Sequence, residues 1–256
     1  LPINKNEYIP MIGQGCGNFG YKYITDSDVI NEEIASLELG IDLGMTFIDT
    51  AEVYGNGLSE EIIGKVSKNK RDKLFIGTKF SPINSSYNKV IESLERSLKR
   101  LKTDFVDLYQ IHWPNPSIPF SETIEALAKL IKDGKVRNIG LCNFSKREII
   151  EFEKFIPNQR IFSYQYEYNL FDRFIESEIL PYSDSKGSIM IAYTPLDKGR
   201  VTNGKKNKEK LVEIAKKYNK TPSQVALNWL TTRSKIICIP KSNNPLHIKQ
   251  NATATD

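Results

Sequence analysis

The chain has 256 residues, with 39% hydrophobic and 26% charged residues and a formal net charge of +5 at pH 7. These fractions are those of a globular protein long enough to bury a substantial core. No apolar run approaches the roughly 18 residues of a membrane span, and no N-terminal segment resembles a signal peptide, so we expect no membrane association. The scattered lysines predict a solvated basic surface, compatible with an anionic cofactor, and give no support to nucleic-acid binding.

The first strand candidate contains a glycine motif. Residues 15–20, GCGNFG, fit the G-x-G-x-x-G pattern of a Rossmann dinucleotide fold. A Rossmann glycine loop opens directly into a helix, whereas the first helix-capping signals here appear only at residues 25–28. We therefore interpret residues 11–20 as a first strand with its loop, and keep a Rossmann dehydrogenase only as an alternative.

Eight short β-rich runs recur along the chain, at residues 11–15, 46–49, 74–79, 105–112, 138–142, 161–165, 188–193 and 235–240. Amphipathic segments lie between them, and their predicted end signals are a cap at Ser59, capping boxes at Ser145/Glu148 and Thr221/Gln224, and terminating glycines at Gly44 and Gly134. Residues 196–207 are predicted to be a long polar loop. Unbroken βα alternation predicts a single (β/α)₈ TIM barrel domain over residues 1–256.

The number and spacing of the cysteines indicate whether the chain forms disulfides or binds a metal. Cys16, Cys142 and Cys238 are odd in number, widely spaced and without a C-x-x-C motif. This pattern argues against a disulfide framework or a zinc site and favours a reducing compartment. We therefore predict a cytoplasmic protein without a metal, in which Cys142 is a small buried residue.

Polar residues stand at the ends of seven of the eight predicted strands. They are Asp49, Lys79, His112, Asn143, Gln165, Tyr193 and the pair Lys241 with Ser242. Each of them alone has an ordinary structural explanation, such as a helix cap or a surface lysine. In a barrel, however, all of these strand ends meet at one face, which is where barrel enzymes carry their active sites. Together these residues predict a functional site.

The residue types at this face predict acid catalysis. A tyrosine with a pKa of about 10 is a poor proton donor at neutral pH. A neighbouring ammonium lowers that pKa, and a carboxylate keeps the ammonium charged and oriented. Tyr54, Lys79 and Asp49 supply these three groups, and His112 can orient a carbonyl oxygen. The set suits the protonation of an oxygen whose carbon receives a hydride.

At this point the chain resembles the aldo-keto reductases along nearly all of its length. The segments that carry the resemblance are FIDTAEVYGNGLSEEIIG (47–64), FIGTKF (75–80), VDLYQIHWP (106–114), GKVRNIGLCNFS (134–145), YQYEYNL (164–170), IAYTPL (191–196) and IPKSNNP (239–245). D-T-A-x-x-Y-G followed by a strand-end lysine and then Q-I-H-W is highly specific for that family.

The resemblance implies a TIM barrel that binds NADPH across its C-terminal face. It implies that Asp49, Tyr54, Lys79 and His112 form the catalytic tetrad, with Tyr54 as the proton donor and nicotinamide C4 as the hydride source. The implied cofactor residues are Asn143 and Gln165 for the carboxamide, Tyr193 for ring stacking, Lys241 and Ser242 for the 2′-phosphate, and further Thr194, Leu196, His247, Gln250 and Asn251. Tyr21 and Trp113 are candidate walls of the substrate pocket.

Three departures from the family pattern limit these expectations. Cys142 replaces the usual serine, so one carboxamide hydrogen bond is expected to be weaker. His247 replaces an arginine, so NADH stays possible beside NADPH, because histidine lacks a bidentate guanidinium. The chain ends at Asp256, where the family continues with a last helix and a loop. We therefore expect that segment to be missing, and the substrate cannot be read from this sequence.

The sequence leaves two classes of function open. The first is an NAD(P)H-dependent reductase that converts an aldehyde or ketone to an alcohol. The second is a cofactor-binding regulatory or structural subunit that keeps the reductase fold, as in the potassium-channel β subunits. The intact set of Asp49, Tyr54, Lys79 and His112 favours the enzyme. The sequence does not show the oligomeric state.

Overall fold

The architecture is an eight-stranded parallel barrel surrounded by helices. A computed structural model describes residues 1–2, 8–20, 27–157, 160–203, 208–233 and 235–256. Its strands are β1 (Gln14–Gly15), β2 (Phe47–Asp49), β3 (Phe75–Phe80), β4 (Leu108–Ile111), β5 (Ile139–Cys142), β6 (Ser163–Glu167), β7 (Ile189–Tyr193) and β8 (Ile236–Cys238). Neighbours in the chain pair in parallel from β1 to β8. Each of the eight predicted runs overlaps one of these strands, and β3 and β6 extend one and two residues beyond their predicted runs.

Backbone hydrogen bonds bring the last strand back to the first. Gly13 N donates to Cys238 O at 2.8 Å, and Cys238 N donates to Met11 O at 2.8 Å. Gly15 N donates to Pro240 O at 3.1 Å. The predicted barrel is confirmed, and the Rossmann alternative is wrong, because a doubly wound sheet reverses its strand order and does not return to its first strand. The glycine motif forms the end of β1 and a turn over residues 17–20.

At least one helix follows each of the eight strands. They are α1 (Ser27–Asp42), α2 (Leu58–Val66), α3 (Tyr87–Leu101), α4 (Phe120–Lys132), α5 (Lys146–Glu153), α6 (Ile179–Lys186), α7 (Arg200–Asn203), α8 (Lys208–Lys217), α9 (Pro222–Thr231) and α10 (Pro245–Ala252). Both predicted capping boxes are present, at the starts of α5 and α9. Gly44 and Gly134 follow α1 and α4 with positive φ, as the predicted terminators require. Among the described residues, none of the helices is both long and apolar enough to cross a membrane.

Two local predictions are wrong. Ser59 does not cap α2; it lies inside the helix, and Gly57 occupies the N-cap position. The reason is that the Ser59 hydroxyl turns into the protein, where it lies 2.8 Å from Thr50 Oγ1 and 3.3 Å from Cys16 O. This contact ties α2 to the ends of β1 and β2.

The second correction concerns the predicted loop at residues 196–207. It contains a 3₁₀ turn (Asp197–Gly199) and helix α7, while residues 204–207 lie outside the described residues. Arg200 pairs with the buried Asp197 carboxylate at 2.5 Å, and Val201 is buried. These two contacts anchor a segment whose polar composition resembles a loop.

The end of the barrel at which the strands begin is filled with apolar side chains. Phe47, Phe75 and Phe162, near the starts of their strands, form a row of stacked rings with centroids 5.5 and 5.6 Å apart. The cluster around them also contains Ile9, Leu108, Ile189, Ile191, Ile237 and Ile239. Because this end is closed by packing, the polar side chains are confined to the other end, where the strands finish.

Candidate active site

Asp49 and Lys79 form the buried base of the site. Asp49 ends β2 and Lys79 lies near the end of β3, on the neighbouring strand. Lys79 Nζ donates to Asp49 Oδ2 at 2.6 Å and to Thr50 O at 2.9 Å. It also donates to Tyr54 Oη at 3.4 Å, and Tyr54 begins the 3₁₀ turn that follows β2. The ammonium is therefore held between a carboxylate and a phenol.

The charge of Lys79 is maintained by its partners. The side chain is fully buried, and burial alone disfavours an ammonium. The Asp49 carboxylate and the Tyr54 hydroxyl outweigh that effect and raise the pKa of Lys79 above its ordinary value. Lys79 is therefore a permanent positive charge directly beneath the phenol.

Tyr54 keeps its proton more firmly than the sequence suggests. Burial raises its pKa above the ordinary value, the charge of Lys79 acts to lower it, and Asp49 acts to raise it. The expected lowering by Lys79 is present, but desolvation of the phenol outweighs it, so the pKa of Tyr54 is raised overall. Tyr54 is consequently a protonated phenol at neutral pH, which is the form that a proton donor requires.

His112 follows β4 and faces Tyr54. The two rings meet edge to face, with centroids 5.7 Å apart and an angle of 83° between the planes. Burial and the charge of Lys79 lower the pKa of His112 to about 3. The imidazole is therefore neutral at physiological pH, and it can hydrogen-bond an oxygen beside Tyr54 without bringing a charge.

The second oxygen of Asp49 accepts two amide hydrogen bonds. Gln165 Nε2 donates to Asp49 Oδ1 at 2.8 Å, and Gln110 Nε2 donates to it at 3.2 Å. Sequence reasoning found Gln165 at the end of its strand but did not single out Gln110. The available signal was a polar residue two positions before His112, inside a strand whose other residues are buried.

A cavity of about 920 Å³ opens over the strand ends. Most of the predicted site residues line it: Asp49, Tyr54, His112, Trp113, Asn143, Gln165, Tyr193, Thr194, Leu196, Lys241, Ser242, His247, Gln250 and Asn251. Lys79 lies beneath the floor, with no exposed surface. Tyr21, the second predicted pocket wall, lies outside the described residues.

Side chains from β5, β6 and β7 form one hydrogen-bonded wall of this cavity. Tyr193 Oη donates to Asn143 Oδ1 at 3.0 Å, and Asn143 Nδ2 lies 3.1 Å from Cys142 Sγ. The Cys142 thiol lies 3.7 Å from Gln165 Oε1. Burial raises the pKa of Cys142 to about 12, so it is a neutral thiol and not a nucleophile. The wall presents amide groups that can hold a planar polar ring.

The cavity is also lined by α10 and by the residues just before it. Lys241 and Ser242 precede this helix, which is capped by the Asn244 side chain accepting from Leu246 N at 2.9 Å. The Lys241 ammonium is exposed and lies over the ring of Phe19 at 5.5 Å. An exposed ammonium near a helix N-terminus is a suitable place for a phosphate.

Part of the cavity wall was missed by sequence reasoning. Lys198, Gly199 and Thr202 line it from the segment around α7, and Thr221, Pro222 and Ser223 line it from the start of α9. The first group falls in the segment that composition marked as a loop. The second was recognised only as a helix start. Neither carried a chemical signal, because their role depends on where the helices pack.

An eight-stranded parallel barrel that holds a buried lysine between a carboxylate and a phenol at its strand ends, beside a cavity of about 920 Å³, has the architecture of a barrel oxidoreductase without a Rossmann domain. The model of the Aldo/keto reductase family matches residues 11–256, and the chain belongs to this family. The chain is accordingly an enzyme, an NAD(P)H-dependent oxidoreductase of carbonyl compounds.

Relatives and solved structures agree with this assignment. The chain is 35% identical to methylglyoxal reductase YeaE of Escherichia coli strain K12, over 97% of this chain and 86% of that protein. It is similar to the structure of the thermostable aldo-keto reductase Tm1743 with the inhibitor epalrestat, with a TM-score of 0.90, 39% identity and coverage of 98% and 92%. It is also similar to an aldo-keto reductase from Klebsiella pneumoniae in complex with NADPH, with a TM-score of 0.90, 32% identity and coverage of 97% and 86%.

Proposed function

We propose that this enzyme reduces small aldehydes and ketones, 2-oxoaldehydes of the methylglyoxal type foremost, with NADPH as the reductant and Tyr54 as the proton donor. The observation that carries the proposal is the Lys79 ammonium, which contacts both Asp49 Oδ2 at 2.6 Å and Tyr54 Oη at 3.4 Å. The substrate class is supported by the similarity to the methylglyoxal reductase YeaE.

The cavity fits an extended dinucleotide. Its volume of about 920 Å³ lies at the upper end of the range for ligand pockets. The amides of Asn143 and Gln165 line it beside His112 and Asp49, and Lys241 lines it just before α10. This lining suits a neutral carboxamide ring beside the two amides and an anionic group beside Lys241. When bound, the nicotinamide supplies a hydride to the carbonyl carbon.

The protein supplies the proton and stabilises the developing charge. His112 and Tyr54 lie side by side over the cavity, where a carbonyl oxygen can accept a hydrogen bond from either. The Tyr54 phenol donates its proton as that oxygen becomes an alkoxide. Lys79 stabilises the phenolate that remains, and Asp49 keeps Lys79 charged and in place. Positioned acid catalysis of this kind contributes on the order of 10²–10⁴-fold to a rate.

NADPH is proposed as the preferred cofactor. The support is the exposed ammonium of Lys241 beside Ser242 and the N-terminus of α10, because a dianionic phosphate is stabilised there. His247 of α10 also lines the cavity, in place of an arginine, so NADH is a weaker second substrate in this proposal.

The cytoplasm is the proposed location, with a small carbonyl compound as the substrate. All three cysteines are free and buried, which supports a reducing compartment. Among the described residues, no group of three or more His, Cys, Asp or Glu side chains is arranged to hold a metal ion.

The test follows the loss of NADPH absorbance with methylglyoxal and with an aromatic aldehyde. We expect turnover by the wild type and a fall in kcat of about 10²–10⁴-fold in Tyr54→Phe. Tyr218→Phe is the matched control, since Tyr218 is 63% exposed. Full activity of Tyr54→Phe would remove Tyr54 from its role. Tight NADPH binding without turnover over a broad carbonyl panel would identify a binding subunit.

A further inference from the structure

Gln110 is a fully buried amide with one hydrogen-bond partner on its side chain. It lies in β4, and its Nε2 donates to Asp49 Oδ1 at 3.2 Å. Its Oε1 has no hydrogen-bond partner among the described residues. Gln110 does not line the cavity, so it does not contact a molecule bound there.

The barrel makes room for this side chain. Gln110 pairs with Gly140 of the neighbouring strand β5. A Cβ on Gly140 would lie 2.5 Å from Ser163 Oγ, 2.9 Å from Gln110 Cγ and 3.0 Å from Gln110 Oε1, so the glycine leaves space for both side chains. A buried amide with an unsatisfied oxygen lowers stability relative to an apolar side chain of similar length. Packing therefore does not explain an amide at position 110, and its contact with Asp49 is the feature that remains.

The amide acts on the carboxylate that holds Lys79. Asp49 Oδ2 accepts from Lys79, and Asp49 Oδ1 accepts from Gln110 and Gln165. Donors on both oxygens fix the plane of the carboxylate. From this geometry we propose that Gln110 is a positioning residue, which orients Asp49 and through it Lys79 and Tyr54. The inference rests on the proposed function, since it concerns proton donation by Tyr54.

The predicted consequence is a change in the acidity of Tyr54. Without the Gln110 donor, the Asp49 charge is less compensated and Lys79 is held less firmly. Both effects raise the pKa of Tyr54, because Asp49 acts to raise it and Lys79 acts to lower it. In the part of the chain that the structure describes, the titratable groups that face Tyr54 are Asp49 of β2, Lys79 of β3, His112 after β4, Cys142 of β5 and Tyr193 of β7.

The test compares Gln110→Met with the wild type. Methionine has nearly the same length and no amide. We expect kcat to fall about tenfold, as for loss of a hydrogen bond to a charged group, with the KM for the carbonyl unchanged. We also expect the basic limb of the kcat profile to move to higher pH, and the thermal midpoint to stay the same or rise.

Tyr109→Phe is the matched control. It removes a polar atom from the neighbouring position of β4, where Tyr109 Oη lies 3.4 Å from Val90 O on the helix side of the strand. We expect it to leave kcat and the pH profile unchanged. A matching kcat loss in Tyr109→Phe would overturn the proposal. So would an unchanged kcat and pH profile in Gln110→Met, or a Gln110→Met protein that is unfolded or less stable, since that would show a structural role.

A second measurement does not depend on turnover. Ultraviolet titration of the tyrosines, with the Tyr54→Phe protein subtracted, reports the ionisation of Tyr54 directly. We expect that ionisation at higher pH in Gln110→Met than in the wild type, and equal titrations would overturn the proposal. Absence of turnover in the wild type would contradict the proposed function, whereas equal wild-type and Gln110→Met kinetics would contradict the role of Gln110 alone.

Discussion

Lys79 and Asp49 form an ion pair inside the barrel, with Nζ 2.6 Å from Oδ2 and with side chains that are 0% and 3% exposed. Removing one partner leaves the other charge buried and unpaired, which is far more unfavourable than removing both. The pair therefore links the stability of the protein to its chemistry, because the same ammonium contacts Tyr54.

Asp49→Asn is expected to lower the free energy of unfolding by about 3 kcal/mol, because Lys79 loses its carboxylate partner. The double variant Asp49→Asn with Lys79→Met removes both charges and is expected to recover most of that stability. Both variants are expected to have a lower kcat than the wild type, since Tyr54 no longer has an oriented ammonium beside it. Chemical denaturation and steady-state kinetics measure the two quantities. If the double variant were as unstable as Asp49→Asn, the loss of stability would not come from an unpaired Lys79 charge.

His112 predicts a specific loss of stability in acid. Its pKa is lowered to about 3 in the folded protein, whereas an unfolded histidine titrates near 6.5. The unfolded chain therefore binds more protons between these values, so the stability contributed by neutral His112 is complete above about pH 6.5 and is lost as the pH falls toward 3.

The measurement compares the wild type with His112→Gln at pH 7 and pH 4. We expect the wild type to lose about 2–3 kcal/mol more than the variant over this interval. Other titrating groups are common to both proteins, so the difference isolates the histidine. An equal pH dependence in the two proteins would show that His112 is protonated in the folded state.

The close approach of α2 and α3 at Gly64 predicts that a larger side chain at this position lowers the stability of the protein. A Cβ at this position would lie 2.3 Å from Arg100 O and 3.0 Å from Leu101 O, which are backbone atoms of α3. Gly64→Ala gains about 1 kcal/mol of helix propensity. We still expect a net loss of about 2 kcal/mol in the free energy of unfolding, because the two helices must move apart. Lys65→Ala, at the exposed next position, is the control and should keep wild-type stability.

Lys241 predicts cofactor discrimination. Lys241→Ala is expected to raise the KM for NADPH about tenfold and to leave the KM for NADH unchanged, because only NADPH carries the additional phosphate. Lys249→Ala removes an exposed lysine of α10 that does not line the cavity, and it should change neither value. An equal rise in the KM for NADPH and the KM for NADH would show that the additional phosphate of NADPH does not bind at Lys241. The rate of cofactor oxidation at saturating carbonyl provides the measurement.

The sequence by itself determined the barrel and the ring of polar strand ends. Each β-rich run, each capping box and each terminating glycine is a local signal, and eight βα units in this length fit one architecture. The strand ends then met at one cavity because parallel strands all finish at the same face. Asp49, His112 and Asn143 could be placed from the sequence for that reason.

Only the tertiary structure decided the quantities that depend on burial and on distant contacts. The pKa of Tyr54 rises because desolvation outweighs its lysine neighbour, and a sequence carries no measure of desolvation. Ser59 turns inward to Thr50 because of how α2 packs against the barrel. Gln110 gains its contact with Asp49 only because two strands distant in the chain point these side chains into the same barrel interior.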